Sequence, residues 1–170
     1  MFLLFTTQSV LAQQQKPKKE IDFTFALKTE SEVWDTSKPL EVEVTFTNTG
    51  SKNFYIGYKC DFGFGGYLEK QIKKDITVLY SIIWDKSSED CTRQTDDFIK
   101  VLSGESVNLK LKSVEVKGII GVNGFEDNSW GKHPKGWYKL FVRYGTSKYG
   151  IVKDTWLGTT GTNTVRLYVK

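Results

Sequence analysis

Reactive side chains are scarce in this chain of 170 residues, and their spacing limits the chemistry they could perform. His133 is the only histidine, which excludes any mechanism that needs two imidazoles. It sits in Trp130-Gly131-Lys132-His133-Pro134. A residue before proline is held extended, so His133 reads as a solvent-facing loop residue and not as a general base. Cys60 and Cys91 are the only cysteines; with one distant histidine they do not make four zinc ligands. No serine lies in a Gly-x-Ser-x-Gly elbow. The acidic pairs Asp96-Asp97 and Glu126-Asp127 are the candidates for paired carboxylates, but neighbours on an extended chain point to opposite sides. Glu126-Asp127-Asn128 has the oxygen ligands calcium takes, although such loops ordinarily just turn. These residues predict no enzyme, no metal and no cofactor.

Phe62-Gly63-Phe64-Gly65-Gly66-Tyr67 resembles a phosphate loop only in its glycines. The Lys-Ser/Thr ending is missing and no helix follows, so the segment is expected to be a mobile aromatic loop or a bulged hairpin. A recognition surface is the functional alternative, since glycine adapts and aromatic rings supply contact area.

Charge narrows the partners. The net +4 falls mostly on Lys16, Lys18 and Lys19, which leaves 21 basic and 20 acidic residues from position 20 onward. Arginine, the bidentate reader of phosphates and bases, occurs only at Arg93, Arg143 and Arg166. A nucleic-acid partner is therefore not expected.

Residues 1–12 read as a signal peptide. They are uncharged, apolar at Phe2 to Phe5, and end on Val10-Leu11-Ala12, with small residues where a signal peptidase needs them. The apolar stretch is too short for a transmembrane segment. Residues 13–19 then form a flexible leader and residues 20–170 one domain. The expected location is secreted, periplasmic or on the cell surface. An oxidising compartment would join Cys60 to Cys91. Closing that loop would stabilise the fold by roughly 3–4 kcal/mol.

The elements that must position these residues are strands. Alanine occurs twice, whereas Val, Ile and Thr number 41, a balance that favours sheet. Ile21, Phe23, Phe25 and Leu27 alternate with polar or small residues, as do Leu40, Val42, Val44 and Phe46, and later Val107, Leu109 and Leu111. Asn53 to Tyr58, Ile76 to Trp84, Phe98 to Leu102, Trp137 to Tyr144 and Thr164 to Val169 complete about eight strands. Ile76 to Trp84, apolar on both faces, is expected to be central or covered. Such an inventory without an amphipathic helix predicts an all-β sandwich or barrel.

Gly136-Trp137-Tyr138-Lys139-Leu140 favours the sandwich. A glycine two residues before a strand-opening tyrosine is the arrangement of a tyrosine corner, with Tyr138 bonding backbone and packing inward. On this segment, with "SKPLEVEVTFTNTGSKNFYI", "LSGESVNLKL", "HPKGWYKLFVRY" and "DTWLGTTGTNTVRLYV", the chain resembles immunoglobulin-like sandwich domains of bacterial exported proteins. Its layout is similar to the intracellular proteinase inhibitor and adhesion-type families. The resemblance implies a two-sheet antiparallel immunoglobulin-like β-sandwich that presents the connections 59–75, 85–97 and 118–136. It also permits a proteinase inhibitor. Antibody-type domains carry cysteines where this chain has Val44 and Leu140, so Cys60 and Cys91 are expected to pin the middle excursion around Ile76 to Trp84.

If Tyr138, Leu140, Val142 and Tyr144 face the core, Trp137, Lys139, Phe141 and Arg143 face outward. Trp137 and Phe141, with Trp130 and Trp156 from flanking connections, are the candidate contact residues. A covering segment, a protein partner and a stacked sugar all fit them, and the partner is expected to be a protein or a surface glycan.

Overall fold

Alternation of apolar and polar residues governs what forms along this chain. The computed structural model describes residues 21–58, 63–74, 76–85, 97–119, 135–146, 152 and 154–170. They contain eleven strands and no α-helix: β1 (Phe23–Thr29), β2 (Val33–Trp34), β3 (Glu41–Asn48), β4 (Phe54–Gly57), β5 (Gly63–Lys73), β6 (Ile76–Trp84), β7 (Phe98–Val101), β8 (Ser106–Ile119), β9 (Gly136–Thr146), β10 (Gly158–Gly161) and β11 (Val165–Val169). The period-two patterns fall where they should. Leu40, Val42, Val44 and Phe46 are buried while Glu41 is exposed, and Tyr138, Leu140, Val142 and Tyr144 are buried while Trp137, Lys139 and Arg143 are exposed.

The strands form a curled nine-stranded sheet, in the order β1-β3-β8-β6-β5-β9-β11-β2 with β10 also on β9, plus a separate two-stranded ladder of β4 and β7. All-β is thus the observed class. The nearest thing to two sheets is one sheet folded on itself, and β8 is where it folds. Residues 106–112 of β8 pair with β3, and residues 113–119 pair with β6. Between them the register slips, with Trp84 opposite Ser113 and Ile83 opposite Glu115. The extra residue is Val114, 70% exposed, and inward parity moves from Leu111 and Ser113 to Val116. Ser113 staples the bend: its hydroxyl accepts from the Leu40 N–H at 2.7 Å, and its own N–H donates to the Leu40 carbonyl at 2.8 Å.

The core lies between the two arms so formed. Phe25 and Phe46 from β1 and β3 stack at 4.3 Å. They meet Phe64 and Tyr144 from β5 and β9, with Phe46 5.1 Å from Tyr144 and 6.3 Å from Phe64. Each such aromatic pair adds about 0.5–1.5 kcal/mol beyond simple burial. The free edge of β1 is stitched to the opposite arm by one side chain. Leu27 donates its N–H to Asn163 Oδ1 at 2.7 Å, and Asn163 Nδ2 donates back to the Leu27 carbonyl at 3.2 Å. The amide thus stands in for a neighbouring strand, which satisfies backbone groups that an edge leaves open.

Two expectations change. The glycine-rich segment is not a loop from Gly63 onward. It is β5, which lies between β6 and β9, and the connection expected over 59–75 is mostly strand. It also forms a hairpin with β6 whose register slips between Gln71 and Lys73, so the bulged-hairpin alternative is the one met. Glycine spares the pleat steric load on both faces here. A Cβ on Gly66 would press into the buried Trp84 ring, and one on Gly65 would touch the ring of Tyr67. Secondly, Ile76 to Trp84 is not an excursion from the sheet. It is β6, an interior strand between β5 and β8, as its two apolar faces require. Cys60 and Cys91, and with them the expected disulfide, lie outside the described residues, as do the connections 86–96 and 120–134.

Candidate binding face on β5, β9 and β11

Because β9 alternates strictly, its outward residues form a line, and register with its neighbours decides what joins them. Phe141 is opposite Tyr67, Lys139 is opposite Glu69 on one side and Arg166 on the other, and Trp137 is opposite Tyr168. The side chains meet accordingly. Tyr67 and Phe141 stack at 5.2 Å with an 18° interplanar angle. Arg143 lays its guanidinium over both, with Cζ 5.3 Å from the Tyr67 centroid and 5.8 Å from that of Phe141. Farther along, Trp137 meets Tyr168 edge-on at 5.3 Å, and Arg166 sits over the indole at 4.7 Å. Trp137 remains 47% exposed.

The face therefore carries the same unit twice, a guanidinium resting on aromatic rings. The attraction of a cation to a ring face holds the side chain still, and the N–H groups around the edge of the planar guanidinium stay available. Between the two units, Lys139 Nζ and Glu69 Oε1 approach to 3.4 Å and cancel each other's charge. No carboxylate pairs with Arg143 or Arg166 among the described residues.

Of the residues singled out in the sequence, Trp137 and Phe141 lie on this face. Trp156 does not. It packs at the rim of the core, 4.9 Å from Phe23 and 5.7 Å from Tyr144, on the inner side of β9. Trp130, His133 and Glu126-Asp127-Asn128 lie outside the described residues, and so does Asp96. Asp97 is buried, and its main-chain carbonyl accepts from the Tyr58 N–H at 3.0 Å. Among the described residues no three His, Cys, Asp or Glu side chains cluster as metal ligands.

Tyr138 is buried on the inner face, as its position in the strand requires. Its ring lies edge-on to Tyr80 at 5.9 Å, with Lys70 Nζ 4.9 Å over it. Burial, and after it the neighbouring Tyr80, pushes its hydroxyl well above the ordinary tyrosine range. Six residues on, the Tyr144 hydroxyl donates to the Gly57 carbonyl at 2.9 Å and ties β9 to the β4–β7 ladder. Burial raises this hydroxyl too.

Tyr67, Tyr168 and Arg166 are the members of the face that sequence reasoning missed. The signal for Tyr168 and Arg166 was the alternation of Val165, Leu167 and Val169, which turns the residues between them outward. For Tyr67 it was masked by glycines, whose missing side chains hide the period.

The opposite arm contrasts with this face. Its outer surface holds a shallow groove of about 350 Å³ between Lys28, Glu41, Glu43, Asp85, Lys110 and Lys112. Cross-strand register places lysines opposite glutamates there, with Lys112 Nζ 3.6 Å from Glu41 Oε1. Such alternating charge makes a solvated surface. No helix among the described residues is long and apolar enough to cross a membrane.

No protein-family model matches the sequence, and no curated protein is similar to it. Among solved structures, the chain superposes on the β-glucosidase from Listeria innocua in complex with glucose with a TM-score of 0.37 and 15% identity. The match covers 86% of this chain and 16% of that one.

Proposed function

We propose that this chain is an exported, non-catalytic binding module of immunoglobulin-like layout, which meets a protein or cell-surface partner through the outward face of β5, β9 and β11. The observation that supports it is the pair of arginine–ring units on that face, whose guanidinium groups are exposed and meet no carboxylate among the described residues. Aromatic residues and arginine are the types that dominate binding energy at interfaces. An interior sheet holds them in a fixed line, so little freedom is lost on binding. The immunoglobulin-like reading draws on two facing arms around an aromatic core and on the inward Tyr138.

Trp137→Ala and Phe141→Ala are each expected to weaken binding by about tenfold or more across a panel of glycans and exported proteins. Their unfolding midpoints should stay near that of the parent, because both side chains lie on the outer face. Binding that neither variant weakens would remove the face from the function.

Export has its own test. The mature protein recovered outside the cytoplasm should begin at Gln13, with Cys60 and Cys91 resisting alkylation until a reductant is added. A chain retained inside with two freely reactive thiols overturns that part of the reading.

A further inference from the structure

The rings of this face are not free platforms. Tyr67 and Phe141 are stacked on one another with Arg143 across both, and Trp137 has Arg166 over its indole and Tyr168 at its side. A neutral sugar that stacks needs an open aromatic face, whereas here a guanidinium already lies on it. The groups left to meet a ligand are the guanidinium edges, and their fork of N–H donors matches a planar carboxylate in a bidentate pair.

Spacing narrows the ligand further. Arg166 is opposite Lys139, and Arg143 is four residues along the same strand. The two arginines are therefore roughly 14 Å apart, from the rise along a strand and the distance to its neighbour. Two copies of one unit in a line suit a ligand that repeats. Beside Arg166, and between the ring pairs Tyr67–Phe141 and Trp137–Tyr168, the Lys139–Glu69 pair is neutral, so the repeat carries its charge sparsely. A nucleic acid, with a phosphate at every nucleotide, would set negative charge against Glu69 and find few cations in return.

Resting on the reading that this face binds a partner, we propose that the partner is an acidic polysaccharide, whose uronate carboxylates seat on Arg143 and Arg166 while the sugar between them passes over the neutral pair. Electrophoresis of the folded protein through gels containing polygalacturonate tests this, with fully methyl-esterified polygalacturonate and poly-glutamate in parallel gels. The parent protein should be retarded by polygalacturonate and not by the ester. Arg143→Ala and Arg166→Ala should each weaken retardation by about tenfold. The double variant Arg143→Lys/Arg166→Lys should recover only part of it, since lysine keeps the charge and loses the fork. Circular dichroism of each variant checks that the fold is intact.

Equal retardation by the ester would overturn the proposal in favour of a neutral sugar, and stronger retardation by poly-glutamate would overturn it in favour of an acidic peptide. Both outcomes leave the face itself standing, provided Trp137→Ala also loses the interaction. Retardation by none of the three polymers overturns the proposal as well, and the broader panel with Trp137→Ala and Phe141→Ala then judges the face on its own.

Discussion

Gly66→Ala is expected to destabilise the fold by about 3 kcal/mol, at the upper end of what overpacking a core costs. A Cβ built there would lie 2.5 Å from Trp84 Cζ2, 2.7 Å from Cε2 and 2.8 Å from Ile82 Cβ. Trp84 is fully buried, so its indole cannot swing aside into solvent. Among the described residues its Nε1–H meets no hydrogen-bond acceptor, so packing holds the ring in place. Relief must come from moving the strand, and β5 is held by β6 on one side and β9 on the other. For a domain of this length the unfolding midpoint should fall by roughly 10 °C.

Two comparisons isolate the cause. Gly65→Ala, one residue away on the outer face, would place its Cβ 3.0 Å from the half-exposed ring of Tyr67 and should cost under about 1 kcal/mol. Combining Gly66→Ala with Trp84→Phe, which shrinks the ring in the way, should cost less than the two changes separately. Denaturant unfolding of the parent, the three single variants and the double variant decides the matter. Equal losses at Gly65 and Gly66 would indicate that backbone propensity, and not the indole, sets the requirement.

Alkaline pH should unfold the protein steeply, through two tyrosines. Tyr138 and Tyr144 are buried, and burial raises both hydroxyls above the ordinary value near 10. The sign follows from which state releases protons. Their stabilisation is intact at neutral pH and up to about pH 10. Above that, the unfolded chain ionises these phenols while the folded one keeps them protonated. Stability then falls by about 1.4 kcal/mol per pH unit for each tyrosine, or nearly 3 for the two.

Tyr144→Phe separates the contributions. It removes the hydroxyl that donates to the Gly57 carbonyl, so it should cost about 1 kcal/mol at neutral pH. Above pH 10 it should also remove about half of the slope. Urea unfolding of parent and variant, from neutral pH to above pH 11, measures both effects. Parallel stability curves for the two proteins would show that Tyr144 ionises as readily in the fold as outside it.

Legibility in the sequence tracked how cleanly side chains alternate. In β1, β3 and β9 the apolar residues repeat every second position without interruption, and their strand positions and inward faces could be assigned residue by residue. Trp137 and Phe141 could be placed on the outside of β9 for the same reason. β5 failed the same test because Gly63, Gly65 and Gly66 carry no side chain to register a period, although they serve a strand that packs closely on both faces. β2 and β10 are too short to show a pattern and exist through their partners, β11 and β9. The reach of β8 beyond Lys112 was hidden by its bulge, which moves the inward positions by one at Val114.

The sequence by itself determined that this is a β protein, which residues of β1, β3 and β9 face inward, and that it carries a single histidine. Those are local properties: a pleat has a period of two wherever it occurs, and composition needs no neighbours. Tertiary structure alone decided that one sheet curls back on itself at Ser113, that Trp84 needs a glycine beneath it, and that Trp156 belongs to the core. It also brought Tyr67, Arg143 and Arg166 onto the rings of β9. Each of these is a matter of register between strands distant in sequence. Register is set by how whole faces bury, so no single strand contains it.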